Sequence, residues 1–205
     1  MRLRYFLALS LPFIISASIE DQTPFLGSSE MTKESSQEST YTPLTSPQPT
    51  LADLLTIEPS ASIYYSYARE TEISSEFGNV DQQLTLLVPT NKAVMALARK
   101  PHQGPVHAES KIEISEQELD EQSRRNVQRW VTAHIILSHI SLSDVPVTYD
   151  TMLDGKSVTF IPAESSDGRS PDWAQVTLED GTRIIGRKEG INGVIYLIDG
   201  TIDPS

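Results

Sequence analysis

Leu84-Thr85-Leu86-Leu87-Val88-Pro89-Thr90-Asn91-Lys92-Ala93-Val94 is the stretch on which the fold turns. Its first five residues are a nearly continuous apolar run, which reads as a buried strand. Pro89 stops that strand. Thr90 or Asn91 then caps a helix whose Ala93, Val94, Leu97 and Ala98 form an apolar stripe.

Working outward toward the N-terminus, Thr50 caps a short helix through Leu51-Ala52-Asp53-Leu54-Leu55, ended by Pro59. Ser60 to Glu72 reads as a second helix, with Ile63, Tyr64, Tyr67 and Ala68 near one face. Toward the C-terminus, residues 99–114 form an irregular excursion with Pro101, Gly104 and Pro105. Ser115 and Glu118 make a capping box for a long helix. That helix carries Val127, Trp130, Val131, His134 and Ile135 at the spacing of one buried face. Its acidic cluster, Glu116, Glu118, Asp120 and Glu121, sits in the first turns and complements the helix dipole.

The last third is strand-rich. Val158–Ile161, Val176–Leu178, Arg183–Ile185 and Val194–Ile198 are short β-prone runs. Asp180-Gly181 is a two-residue hairpin signal between two of them, and Asn192-Gly193 marks a tight turn before the last. The order is helices with one early strand, then a meander: an α+β domain without internal repeats.

Bulk properties exclude more than they name. The chain of 205 residues fits one domain plus tails. Its net charge of −12 repels phosphate backbones and anionic lipid, which argues against nucleic acid and membrane surfaces as partners. The absence of cysteine removes thiol nucleophiles, thiolate zinc sites and redox motifs.

Arg2 and Arg4, the apolar run Tyr5 to Ile15, and Ser16-Ala17-Ser18 read as a signal peptide, residues 1–18, cleaved after Ser18. Residues 19–49, rich in Ser, Thr, Pro, Gln and Glu, read as a disordered linker, leaving residues 50–205 for the domain. The chain ends on Ile202-Asp203-Pro204-Ser205 without a hydrophobic tail, and Asn79, Asn91, Asn126 and Asn192 all lack the glycosylation hydroxyl. The expectation is a soluble protein of the secretory lumen or the cell exterior.

The search for chemistry is mostly negative. No nucleophile elbow, zinc-protease helix, P-loop or dinucleotide fingerprint is present. His102 and His107 lie in the excursion and read as solvated. His134 falls on the apolar helix face and reads as a hydrogen-bonded core histidine, while His139 lies past it. No catalytic, cofactor-binding or metal-binding residue is expected, and the chain reads as a non-enzyme.

Three segments, in order, resemble the fasciclin-like domain family. Leu84–Val94 looks like the family's first signature box, and Asn192-Gly193-Val194-Ile195-Tyr196-Leu197-Ile198-Asp199-Gly200 like its second. Between them, Ala133-His134-Ile135-Ile136 stands where the family has a Tyr-His pair, with Ala133 replacing the tyrosine. The resemblance spans residues 50–202. It implies an α+β fold, a twisted β-wedge with helices packed alongside, and adhesion, matrix or cell-wall association without catalysis. The architecture is most similar to small single-domain fungal members of the secretory and vacuolar system. Under it Pro89, Thr90 and Asn91 fix the strand-to-helix turn, Asn192 and Gly193 set the register of the last strand, and Asp199 closes that strand's end. Recognition would fall near His134 and Ile135 or on the 99–122 loop, with a protein or polysaccharide ligand, no membrane anchor, and self-association open. A lumenal carrier of lipid or another small ligand is the alternative reading, ahead of a hydrolase.

Overall fold

The computed structural model describes residues 48–104, 115–163 and 170–205. They fall within the compact unit Leu44–Ser205; the expected signal peptide and nearly all of the expected linker lie outside the described residues.

The apolar run is indeed a strand, β1 (Leu84–Pro89), and all six of its residues are buried. It runs antiparallel to β2 (Ile135–Ile136) and parallel to β7 (Gly193–Ile198), which in turn pairs antiparallel with β6 (Ile184–Gly190). The order β2-β1-β7-β6 puts the two most apolar strands in the middle. A second, antiparallel sheet joins β3 (Val147–Asp150), β4 (Ser157–Pro162) and β5 (Val176–Leu178) in the order β3-β4-β5.

The alternation of side chains explains why β1 and β7 show no polar face. Leu84, Leu86 and Val88, with Ile195, pack on the helices α1 (Leu51–Thr56), α2 (Ser62–Arg69) and α4 (Glu116–Ala133). Leu87, with Val194, Tyr196 and Ile198, packs on Val158, Phe160, Val176 and Leu178 of the second sheet. The central sheet is thus covered on both sides, by helices and by a second sheet. The architecture is α+β, as the sequence reading expects.

Several local expectations are corrected. The helix expected over Ser60–Glu72 breaks into a 3₁₀ turn, Pro59–Ala61, then α2, then a longer 3₁₀ segment, Glu72–Gly78. The stripe past the first strand is shorter: α3 spans Asn91–Ala96, so Leu97 and Ala98 lie outside it, and the Lys100 ammonium donates to the Val94, Met95 and Leu97 carbonyls. The long helix stops at Ala133, so His134 is its C-cap and Ile135 opens β2. Asp180-Gly181 does form a turn, with Gly181 at φ +86°, but its flanking strands enter different sheets. The expected meander gives way to a crossover, because β7 inserts between β1 and β6. β3 gave no signal: its four residues alternate between exposed and half-buried, so no apolar pattern marks it.

Candidate functional site

Thr90 and Asn91 follow β1 but do different work. The Thr90 hydroxyl accepts from the Ala93 N–H at 3.3 Å and caps α3. Pro89 has no N–H, and the ladder to β7 resumes with Thr90 N–H donating to the Ile198 carbonyl at 3.0 Å. Asn91 reaches back 28 residues: its Oδ1 accepts from Ile63 N–H at 2.9 Å, and its Nδ2 donates to the Pro59 carbonyl at 2.8 Å. α2 has no cap from its own N-cap residue, Ala61. Asn91 therefore caps its neighbour's helix rather than its own.

Asn192 is fully buried at the turn between β6 and β7. Its Oδ1 accepts from Leu51 N–H at 2.9 Å, and its Nδ2 donates to the carbonyls of Phe77 (2.9 Å) and Asn79 (3.1 Å). Its own carbonyl accepts from Leu84 N–H at 3.0 Å. The side chain thereby joins the start of α1 to the end of the second 3₁₀ segment, and the backbone of the same residue reaches the start of β1. Gly193 sits at φ +143°, where a Cβ would collide with the Leu84 carbonyl. The strand register, Leu84 opposite Gly193, depends on that missing side chain. At the strand's other end the Asp199 carboxylate accepts from Arg183 N–H and Nε–H, both at 2.8 Å, and pairs with the guanidinium at 2.7 Å.

His134 and Ile135, the expected recognition residues, are both 0% exposed. They lie inside the domain and present no surface to a ligand. His134 Nδ1 donates to the Trp130 carbonyl at 2.7 Å, and Nε2 accepts from Ile202 N–H at 3.0 Å. Both contacts need the neutral ring, with the proton on Nδ1. Burial drives the His134 pKa down from 6.5 to about 4, opposed by the Trp130 carbonyl. Tilted rings of Tyr64 and Trp130 enclose the imidazole, with centroids at 5.7 and 4.7 Å. Neither ring nitrogen meets a carboxylate or a hydroxyl, so no triad forms around it.

Two features escaped the sequence reading. Glu58, 8% exposed, caps the 3₁₀ turn at Ser60 and pairs with Lys188 of β6 at 2.5 Å. Lys188 and the Ser60 contacts hold the Glu58 carboxyl below its usual range. The second is a cleft of about 410 Å³ between residues 97–104, the Asn126–Trp130 turn of α4 and the C-terminal segment 201–205. The expected 99–122 recognition loop forms part of it through residues 99–104; residues 105–114, with His107, lie outside the described residues. His102 accepts or donates with the Tyr67 hydroxyl at 3.2 Å. Among the described residues no group of three His, Asp or Glu is placed to hold a metal ion, and no helix is long and apolar enough to cross a membrane.

Comparison with known proteins adds an independent line. The fasciclin domain family matches residues 59–204. A FAS1 domain-containing protein of Emericella nidulans is 28% identical over 170 residues, covering 76% of this chain and 62% of the relative. One of Saccharomyces cerevisiae is 25% identical over 172 residues, covering 74% of this chain and 61% of the relative. The chain thus spans less than two thirds of these relatives' length. Among solved structures, a FAS1 domain pair from the insect cell adhesion molecule fasciclin I superposes with a TM-score of 0.49 at 15% identity, covering 75% of this chain and 50% of that one.

Proposed function

The chain belongs to the fasciclin domain family, and on that premise we propose that it works as a non-catalytic binding module of adhesion type. The observation that supports this is how the signature side chains are spent. The side chains of Asn91, His134, Asn192 and Asp199 each join separate segments through hydrogen bonds, the Thr90 hydroxyl caps α3, and the buried His134 is sealed and neutral. Groups committed to the scaffold are not free for chemistry, which leaves the surface to carry the function. With Ala133 in place of the family's tyrosine and fully buried, adhesion through a Tyr-His pair is not part of the proposal. The ligand is a protein or polysaccharide of the secretory or vacuolar lumen, or of the cell exterior.

Immobilised chain is exposed to cell-wall polysaccharide and to lumenal and secreted protein fractions, beside an unrelated acidic domain. Saturable retention above the acidic control is the expected result; none above it would sink the reading. A fluorescent tag placed after residue 18, imaged in the source cell, tests the compartment: a cytosolic signal overturns that part.

A further inference from the structure

The cleft beside α4 has a composition unlike the rest of the molecule. Its floor is apolar, formed by Leu97, Pro101, Trp130 and Ile202. Its rim carries Arg99, Lys100 and Arg129 beside Asp203 and the terminal Ser205, in a chain whose net charge is −12. Lys156 holds the Ser205 carbonyl at the far side.

The three cations are not equivalent. Lys100 is committed, since its ammonium donates to three carbonyls at the end of α3. The two arginines are not. Arg99 donates through Nε to the Gly104 carbonyl at 2.9 Å and through one terminal nitrogen to Gln103 at 3.1 Å. Arg129 donates once, to the Pro204 carbonyl at 3.0 Å. A guanidinium has five N–H donors in a planar fork, so both keep donors for an anion, and neither makes an ion pair among the described residues. Elsewhere on the same helix Arg124 and Arg125 are each paired, with Asp120 and Glu121. Backbone carbonyls orient the cleft arginines without neutralising them.

We propose that this cleft binds a small anionic amphiphile, a molecule with an apolar chain and a carboxylate or phosphate head. The chain lies over Trp130 and Ile202, and the head is held by Arg99 and Arg129. A volume of about 410 Å³ is in the range of small-molecule sites. Charge complementarity selects the head, because a carboxylate or phosphate accepts the arginine fork in two parallel bonds. The inference deepens the binding-module reading by naming a ligand class for one face, and it rests on that reading.

Calorimetric titration of the full chain with decanoate, decyl phosphate, decanol, decylamine and inorganic phosphate tests it, each amphiphile kept below its aggregation concentration. Decanoate and decyl phosphate are expected to bind saturably, about tenfold more tightly than decanol, and decylamine and inorganic phosphate not to bind. The double variant Arg99→Gln/Arg129→Gln loses about tenfold for decanoate and nothing for decanol. Arg124→Gln/Arg125→Gln, with the same change in charge, leaves both unchanged, and circular dichroism confirms that each variant is folded. Should the glutamine pair unfold, Arg99→Lys/Arg129→Lys is read instead and weakens decanoate alone. Equal affinity for decanoate and decanol, an equal effect of the two double variants, or no saturable binding overturns the inference. None of these outcomes alters retention of a macromolecular partner, so the two readings fail separately.

Discussion

Asn192 shows how a short polar side chain can organise a core. Its amide offers one acceptor and two donor hydrogens, and all of them are used, by three backbone groups of two segments: the start of α1 and the end of the second 3₁₀ segment. Replacement by alanine leaves Leu51 N–H and the Phe77 and Asn79 carbonyls without that partner, the first two of them buried and the third half-buried. The orphaned Leu51 N–H costs about 1–3 kcal/mol and the two carbonyls, each with a second lone pair and one of them half-buried, add less, so Asn192→Ala should lose roughly 2–4 kcal/mol of stability. Urea unfolding measures it; a loss within 0.5 kcal/mol of zero, roughly what a neutral surface change gives, would contradict the account. The sequence shows an Asn-Gly turn at this point, and the turn is there. What it hides is that the asparagine faces inward, because its partners stand 141, 115 and 113 residues away.

At the scale of elements, α2 depends on another helix for its beginning. It starts after a 3₁₀ turn, and its own N-cap residue, Ala61, offers no side-chain oxygen. Asn91 supplies that oxygen from the first turn of α3. Removing it by Asn91→Ala should cost about 1 kcal/mol and speed amide exchange at Ile63 while the strand amides of β1 keep their protection. Faster exchange at Ala93 instead of Ile63 would mean that Asn91 caps its own helix after all. Elements with a strong local code were legible: the apolar run of β1, the Thr50 and Ser115 caps and the strand β7 all stand where the sequence placed them. Elements set by distant partners were not. β3 is a half-exposed strand held by β4, and the break before α2 is made by Glu58 and Asn91, which no local window joins. The candidate site divides the same way. His134 could be read as a core histidine, whereas the cleft assembles from three segments far apart in the chain.

Over the whole molecule, His134 fastens the end of α4 to the C-terminal segment at Ile202, and does so only as a neutral ring. Its folded pKa of about 4 lies below the 6.5 of the unfolded chain. Between those values the unfolded state takes up the proton first, so stability falls as pH drops. The contribution is complete above pH 6.5 and is lost by about pH 4, a difference on the order of 3 kcal/mol. Unfolding free energies across that window should show the slope, and a destabilised but folded His134→Asn chain should lack it; an unchanged slope in the variant would assign it elsewhere. The central sheet has a different consequence, one of timing. Its pairing of greatest sequence separation joins Leu84–Pro89 to Gly193–Ile198 side by side. Ribosomes deliver the chain from its first residue onward, so β1 waits unpaired on that side while about a hundred further residues are made. Until then its leucines remain open to chaperones and to other nascent chains. The central sheet is completed only on the arrival of its last strand.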